Sequence, residues 1–471
     1  MIKIAETKLK AASRQRPRSG AAGHHFAVEL SEIAKLALPI VLAQLGQVAM
    51  LTTDLAFIGR ISAEAAAAAA LGGRVYFVSV TFGMGLMAAV ASLAAEAFGA
   101  GNLAAVRRTV RMGLWTAILL SLPIMSVLLR GEQILLALGQ GPDAAQLAQQ
   151  YLFGLAWGLV PSLWFLAIRS FMSAVLRPEP ILWITLAAIP CNALLVYLLI
   201  YGKLYLPRLE LFGAGLGTTL VNFAMFLAAL WFATVHRPFR NYHVLARFWR
   251  FDWQLMRRLT VVGTPISIAF LMEDSIWSAA ALLIGMISLK ALAAHQIAFH
   301  VGSILYIIPS GISMAANVRV GHALGRNDGP GIKRVGLVAM LFGTVTAVVL
   351  TIMVIAARFE IAAFFLPGET EGTIGLATDL LLIGASCFVT TTTYSIALGS
   401  LRGLKDTWVP LLFAATGYCL IGFSISCVLA LETGLGAIGI WIGLAAGTTI
   451  YAVLLVLRFL LLAGRLALQG P

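Results

Sequence analysis

The sequence contains little charge and little cysteine. Only 11% of its 471 residues are charged, against about 25% in an ordinary soluble domain, which argues against a soluble enzyme or a nucleic-acid-binding protein. The four cysteines show no Cys-x-x-Cys spacing, so neither a disulfide framework nor a zinc site is supported. Hydrophobic residues make up 60% of the chain. This composition predicts an all-α polytopic membrane protein.

Apolar runs long enough to cross a bilayer recur along the chain, and each predicts one helix. The twelve runs cover residues 33–58, 68–95, 109–129, 150–175, 181–202, 211–235, 259–287, 291–318, 335–365, 373–400, 408–430 and 436–464. The tails and even-numbered connections hold 23 Lys and Arg, whereas the odd-numbered connections hold six. Because basic residues stay on the cytoplasmic side, we expect both termini in the cytoplasm and the chain in the cell (inner) membrane.

The two halves of the chain repeat one another. A shift of 226 residues, without a gap, aligns Pro39 with Pro265, Ile58-Gly59 with Ile284-Gly285, Gly85 with Gly311, and Gly99 with Gly325. A slip of one residue then aligns Leu176-Arg177 with Leu401-Arg402. Since each half has six predicted helices, both halves enter the membrane from the same side. Two such parallel lobes with a cavity between them are a transporter architecture.

The repeat and the charge pattern predict four regions. Residues 1–29 form a basic cytoplasmic tail, 30–236 an N-lobe with helices 1–6, 237–258 a basic cytoplasmic linker, and 259–471 a C-lobe with helices 7–12. Arg, Trp and Phe alternate in the linker. That pattern fits a surface for lipid headgroups, but an amphipathic connection resting on the inner leaflet is the favoured interpretation.

Several short motifs carry a family resemblance. They are Leu38-Pro39 followed by Asp54 and Gly59-Arg60, Ala97-Phe98-Gly99-Ala100-Gly101, Ala293-Ala294-His295-Gln296, Arg319-Val320-Gly321, and Ser400-Leu401-Arg402-Gly403. In this order, on a duplicated chain with twelve predicted helices, they resemble the NorM-type branch of the multidrug and toxic compound extrusion (MATE) family. The resemblance implies a cation-coupled antiporter that expels organic, often cationic, drugs by alternating access between its lobes.

Three carboxylates lie deep within apolar runs, namely those of Asp54, Glu273 and Asp274. A carboxylate at the centre of a membrane helix costs about 2.5–3.5 kcal/mol on insertion scales, so each requires a reason. Proton or cation binding there can bias a protein with two conformations. Under the 226-residue shift Glu273 aligns with Gln47, which lies two helical turns from Asp54 on the same face. We expect one polar stripe per lobe, with the carboxylates divided between the lobes.

Two departures from the family pattern bear on the coupling ion. Thr391 stands where the sodium-associated pattern has an aspartate in the tenth helix, and His300 stands where the family tends to have an asparagine. Losing a carboxylate and gaining an imidazole weakens an oxygen cage for a hard cation and suits proton exchange. We therefore expect Asp54, Glu273, Asp274 and His300 to serve cation coupling.

Other side chains are candidates for the cavity wall. Gln47, Asn192, Trp277, Thr391 and Tyr306 are the predicted substrate or cavity residues. Val196 occupies a place where relatives often carry a second polar group beside Asn192. In the second predicted helix, Arg74 can either pair with a carboxylate or extend towards the interface.

The expected function is proton-coupled export of amphipathic organic cations. A sodium-coupled exporter and a lipid-linked saccharide flippase on a related scaffold are the alternatives. The flippase would be expected to have a cationic cavity, whereas the charges singled out at mid-membrane are acidic. We expect no enzyme activity, no cofactor besides the coupling ion, no metal site and no nucleic-acid partner. The expected partners are small organic cations and the lipid bilayer, and a monomer is expected.

Overall fold

The computed structural model describes residues 19–205, 207–366 and 371–469, and every regular element in these ranges is helical. The N-lobe contains α1 (Ser19–Gly59), α2 (Ala63–Gly99), α3 (Leu103–Leu128), α4 (Pro142–Ala156 and Leu159–Ala174), α5 (Glu179–Tyr201) and α6 (Glu210–Val235). The C-lobe contains α7 (Trp253–Ile287), α8 (Leu289–Gly325), α9 (Gly329–Phe365), α10 (Glu371–Gly403), α11 (Trp408–Leu431) and α12 (Gly436–Gln469). Short helices, Gly131–Ala137 and Phe239–Tyr242, follow α3 and α6.

The predicted count of twelve helices is confirmed. Ten of the helices are long and apolar enough to cross a membrane, and the two segments of α4, which meet at an angle of 48°, make an eleventh span. The remaining helix, α1, has 41 residues and packs against α5 of its own lobe and α8 of the other.

The first helix begins earlier than its apolar run. It starts at Ser19, inside the predicted tail, and residues 1–18 of that tail lie outside the described part of the chain. Hydropathy marks where a helix enters the bilayer, but it does not mark where the helix begins. The extension is anchored because Glu29 forms ion pairs with Arg319 and Arg334 of the C-lobe.

The sequence repeat is reproduced in the local structure. The shift of 226 residues carries the first residues of α2 and α3 onto those of α8 and α9. Ser62 and Ser288 cap α2 and α8 through the same hydrogen bond to a backbone N–H three residues later, and Asn102 and Asp328 do so for α3 and α9. Such caps satisfy N–H groups that the first turn leaves unpaired.

Glycines allow the two lobes to approach closely in a nearly symmetric way. A Cβ on Gly85 of α2 would overlap Ser267 of α7, and a Cβ on Gly311 of α8 would overlap Val41 of α1. The shift of 226 residues relates Gly85 to Gly311 and Val41 to Ser267. The interface between the lobes therefore repeats itself about an axis that runs between them.

Within each lobe, small residues bring neighbouring helices together. Gly154 and Gly158 at the bend of α4 face the backbone and side chains of α6, and Gly443 and Gly447 of α12 face α11. Both Gly-x-x-x-Gly spacings are thus helix-packing features.

Candidate functional site

The interior of the N-lobe is organised around Asp54 of α1, which is 3% exposed. Asn192 of α5 donates its amide hydrogen to Asp54 Oδ1 at 2.5 Å, and Thr218 of α6 donates its hydroxyl hydrogen to Oδ2 at 3.0 Å. Three helices thus supply one polar cluster inside an apolar lobe. The second polar group missing at Val196 is supplied by Thr218.

Two turns earlier on α1, Gln47 accepts a hydrogen bond from Arg169 at 3.4 Å. Arg169 lies on the second segment of α4, which packs on α2, α3 and α6, whereas α1 packs on α5 and α8. The Arg169 side chain therefore crosses the lobe interior to a helix that is not its close neighbour. Among the described residues, no carboxylate lies within 4 Å of its guanidinium.

In the C-lobe, Glu273 of α7 occupies the site that corresponds to Gln47 in the N-lobe. Tyr394 of α10 donates its hydroxyl hydrogen to Glu273 Oε1 at 2.7 Å. The Tyr394 ring packs against the rings of Tyr418 and Tyr451, with centroids 6.2 and 5.3 Å away. Tyr418 belongs to the π-helical stretch Ala415–Phe423 within α11. Such irregular turns occur often at functional sites.

These two sites occupy equivalent positions in the repeat. Gln47 aligns with Glu273 under the 226-residue shift, and Arg169 aligns with Tyr394 under the 225-residue shift that also aligns Arg177 with Arg402. A helix-1 side chain thus meets a helix-4 side chain in the N-lobe, and the corresponding helices α7 and α10 meet in the C-lobe. The N-lobe position carries a cation, whereas the C-lobe position carries a carboxylate.

Asp274 lies next to Glu273 in sequence but belongs to a different contact. Its Oδ2 accepts a hydrogen bond from Arg74 of α2 at 2.8 Å, and Arg74 also donates to Ser278. The side chains of Arg74 and Asp274 are 50% and 20% exposed. Of the two interpretations of Arg74, pairing with a carboxylate is therefore the correct one, and the pair joins the two lobes.

Two further predicted cavity residues, Tyr306 and Thr391, lie near Tyr394, the partner of Glu273. Tyr306 of α8 donates to Ser395 Oγ at 3.3 Å, beside Tyr394. Thr391 is half-buried on α10, one turn before Tyr394. Both side chains thus border the Glu273 cluster.

Trp277 and His300 lie apart from the hydrogen bonds of Glu273. Trp277 of α7 makes an edge contact with the ring of Trp441, with centroids 5.6 Å apart. His300 of α8 is exposed, and its ring centroid is 6.4 Å from that of Phe365 on α9. The structure therefore gives His300 an aromatic neighbour on α9, and the role of His300 in coupling stays a prediction.

Three residues of these clusters were not predicted from the sequence, namely Thr218, Tyr394 and Arg169. Thr218 and Tyr394 carry no charge and look ordinary in an apolar run, so no local signal marks them. Arg169 did have a signal, because it is an ionisable residue inside the predicted helix 150–175. Because Arg169 is a cation at mid-membrane, the mid-membrane charges are not all acidic, contrary to the expectation that argued against the lipid-linked saccharide flippase.

One face of the molecule is closed by contacts between the lobes. Near the last turns of α2 and α8, Ser92 donates to Asn317 at 2.9 Å, and the Lys405 ammonium lies 2.6 Å from Glu96. His322 Nε2 lies 2.7 Å from the carbonyl oxygen of Ala174. This is the face that carries the basic connections. Towards the opposite face, the last hydrogen bonds between the lobes in the described chain are those of Arg74.

Comparison with known proteins identifies the family. The MatE family model matches residues 39–198 and 265–428, one match in each lobe. The chain is 54% identical over 452 residues to a Bradyrhizobium diazoefficiens protein named "Probable multidrug resistance protein NorM", covering 96% of this chain and 97% of that protein. It is 49% identical over 434 residues to a protein of the same name from Rhodopseudomonas palustris, covering 92% and 91%.

Solved structures show the same fold. The eukaryotic MATE transporter AtDTX14 superposes with a TM-score of 0.83 at 19% identity, covering 95% of this chain and 100% of that chain. A structure described as MATE in the bent conformation superposes with a TM-score of 0.85 at 17% identity, covering 93% and 96%. With the sequence repeat, the twelve helices and matches across both lobes, the chain belongs to the MatE family of membrane transporters.

Proposed function

We propose that this protein is a secondary antiporter that exports amphipathic organic cations in exchange for protons, by alternating access between its two lobes. The observation that carries the proposal is the buried Asp54 carboxylate, held by Asn192 and Thr218 inside the N-lobe. The two relatives reported above are each named "Probable multidrug resistance protein NorM", which supports drug export.

The surroundings of Asp54 suit a group that gains and loses a proton. When Asp54 is ionised, both Asn192 and Thr218 donate hydrogen bonds to it. Asn192 Oδ1 is buried and has no hydrogen-bond partner among the described residues. A rotation of the Asn192 amide would present this oxygen to protonated Asp54, whose O–H can donate. The cluster can therefore satisfy both protonation states.

The surroundings of Glu273 in the C-lobe also support a proton over a sodium ion as the coupling ion. The partner of Glu273 is the hydroxyl of Tyr394, and the neighbouring carboxylate of Asp274 is paired with Arg74. A hard cation prefers several oxygen ligands, carboxylates above all, and Thr391 adds only a hydroxyl. The sodium-coupled exporter remains the alternative.

The closed face supports alternating access. The basic connections lie on that face, and basic connections are cytoplasmic in most membrane proteins. We infer that the conformation is closed to the cytoplasm and open to the opposite side, with both termini cytoplasmic. Proton binding from outside would then bias the lobes towards the opposite conformation.

Uptake of a fluorescent organic cation into proteoliposomes tests the proposal. An imposed pH gradient is compared with an imposed sodium gradient, with empty liposomes as the blank. Asp54→Asn removes the proton-accepting group but keeps hydrogen-bonding capacity. Asp143→Asn is the matched control, because Asp143 is an exposed carboxylate in the first turn of α4.

The expected result is uptake driven by the pH gradient, lost in Asp54→Asn and kept in Asp143→Asn. Uptake driven by sodium alone would establish the sodium-coupled alternative and overturn the role given to Thr391. Absence of uptake under either gradient would contradict the antiporter and favour the lipid-linked saccharide flippase.

A further inference from the structure

We infer that the junction between α3 and the linker binds the phosphate group of an anionic lipid in the adjoining leaflet. This lipid site does not depend on the proposed export function. Its centre is the arginine cluster, formed by Arg107, Arg108 and Arg111 at the start of α3 and by Arg250 in the linker. A basic connection by itself reports only the orientation of the chain, but this one is folded into a defined site.

The linker is fixed against one face of α3. Arg111 donates to the carbonyl oxygen of Arg247 at 3.0 Å, and Trp115 Nε1 donates to that of Phe248 at 3.0 Å. Because Arg111 and Trp115 are four residues apart, both side chains lie on the same face of the helix. These two hydrogen bonds hold the backbone just before Arg250 beside the arginines of α3.

Positive charge exceeds negative charge in the arginine cluster. The guanidinium groups of the other three members repel that of Arg111, and Asp252 attracts it. Arg111 is only 5% exposed, and the Nε atoms of Arg107 and Arg111 are buried without a hydrogen-bond partner among the described residues. Asp252, 3.6 Å from Arg108, is the one carboxylate within 4 Å of any cluster guanidinium in the described chain. Four cations and one carboxylate favour the binding of an anion.

The equivalent position in the C-lobe carries less unbalanced charge. Under the 226-residue shift Arg108 aligns with Arg334, and Arg111 aligns with Leu337. Arg334 lies 3.4 Å from the carboxylate of Glu29, and Leu337 has no charge. The excess of positive charge at the start of α3 is therefore a feature of the N-lobe, which a requirement common to both lobes does not explain.

Exposed aromatic side chains indicate that the anion belongs to a lipid. Trp249 and Trp253, on either side of Arg250 in sequence, are 84% and 71% exposed. Tryptophan is enriched where the hydrocarbon of a bilayer meets its headgroups, and the fork of N–H donors of arginine matches phosphate oxygens. Arg108 and Arg250 are exposed and can reach such a phosphate, while the lipid covers the tryptophans. A soluble phosphate would leave both tryptophans in water.

Native mass spectrometry of the full-length, detergent-solubilised protein tests this site. It measures the Kd of the first bound dioleoylphosphatidylglycerol, which is anionic, and of dioleoylphosphatidylcholine, which has the same acyl chains and no net charge. Arg108→Gln with Arg250→Gln removes the two exposed charges of the cluster, and Arg108→Lys with Arg250→Lys keeps them. Arg326→Gln with Lys333→Gln is the matched control, because it removes two exposed charges from the C-lobe on the same face.

In the unmodified protein, phosphatidylglycerol should bind at least about tenfold more tightly than phosphatidylcholine. In the double glutamine variant of the cluster it should bind about thirtyfold more weakly, the loss expected for two basic contacts with an anionic headgroup. Binding of phosphatidylcholine should not change, which shows that the variant is folded. The double lysine variant should recover most of the affinity, because lysine also binds phosphate as a point charge. The control variant should bind both lipids as the unmodified protein does.

Equal affinity of the unmodified protein for the two lipids would overturn the inference. An equal loss of phosphatidylglycerol binding in the control variant would also overturn it, because it would show attraction by the overall charge of this face. Weaker binding of both lipids in the double glutamine variant would assign the two arginines a structural role instead. Displacement of phosphatidylglycerol by millimolar inorganic phosphate, but not by a chloride salt of equal ionic strength, would assign the cluster to a soluble anion and contradict the lipid site.

Discussion

Gly99 at the end of α2 and Gly325 at the end of α8 are equivalent in the repeat, and the residues that they contact in the opposite lobe are equivalent too. A Cβ on Gly99 would overlap the backbone of His322, and a Cβ on Gly325 would overlap the carbonyl of Glu96. The 226-residue shift relates Glu96 to His322 as it relates the two glycines. The closed face therefore depends on two backbone approaches that only glycine allows.

We predict that Gly325→Ala destabilises the closed face. The added methyl group would force the lobes apart at Glu96 and lower stability by about 1–3 kcal/mol, as overpacking does. Gly302→Ala on the same helix meets no atom within 4 Å, and as a helix-interior substitution it should stabilise by roughly 0.5–1 kcal/mol. Thermal unfolding in detergent should shift in opposite directions for the two variants. A parallel shift would contradict the close approach at Gly325.

We predict that Lys405→Met increases the population of molecules in which the closed face is open. The substitution removes the ion pair between Lys405 and Glu96, whose side chains are 29% and 31% exposed. The closed conformation should therefore lose about 1 kcal/mol of stability. A cysteine at Ser92, which is 0% exposed, should then react with a maleimide about fivefold faster. Lys35→Met is the control, since it breaks an exposed ion pair within α1.

The labelling requires a background without native thiols, namely Cys191, Cys387, Cys419 and Cys427, which are free. Equal labelling rates in the Lys405 and Lys35 variants would show that the Glu96 pair does not hold the lobes together.

We predict that Thr218→Val impairs coupled transport as well as stability, whereas Thr219→Val lowers stability alone. Thr218 donates to Asp54, while its neighbour Thr219 donates to the carbonyl of Gly154 at 2.7 Å. Both substitutions keep shape and remove one hydrogen bond, so each should lower stability by about 1–2 kcal/mol. In proteoliposomes, gradient-driven uptake per folded molecule should fall about tenfold in Thr218→Val only, a change equivalent to about 1.4 kcal/mol. A similar fall in both variants would contradict a special role for Thr218.

We predict that Trp441→Phe affects stability without abolishing transport. Trp441 Nε1 donates to His295 Nδ1 at 3.1 Å, in a site where His295 is 1% exposed. Losing this buried hydrogen bond should lower stability by about 1–3 kcal/mol. Trp183→Phe, at a side chain that is 67% exposed, should change little. Loss of coupling in a folded Trp441→Phe protein would instead assign His295 to the transport cycle.

Features encoded by local sequence were predicted well. The repeat located the matching helices, although α2 and α8 start at Ala63 and Leu289, before the predicted apolar runs that begin at 68 and 291. Apolar runs gave the number of helices. Charge within those runs pointed to Asp54 and Glu273, each of which has a hydrogen-bonded partner in the structure, while their role in coupling stays a prediction. Each of these depends on neighbours in sequence, so spacing and composition reveal it.

Partners across the lobe interior were harder to predict. Thr218 meets Asp54 across 164 positions and Tyr394 meets Glu273 across 121. Neutral hydroxyl groups in apolar helices are common, and only the packing of the helices decides which of them faces a carboxylate. The bend in α4 and the early start of α1 were missed because hydropathy reports burial in lipid and carries no information on helix continuity.

The linker between the lobes makes its closest contacts with one side. Phe248 stacks on Trp115 of α3 with ring centroids 5.4 Å apart, and Arg111 donates to the carbonyl oxygen of Arg247 at 3.0 Å. The attachment to α3 continues to the residue that precedes α7, because Asp252 forms an ion pair with Arg108 at 3.6 Å. Any rocking of the C-lobe against the N-lobe would therefore have to bend the chain at or after Asp252 or break its ion pair with Arg108, so a substitution there would change the rate of the cycle without touching either carboxylate.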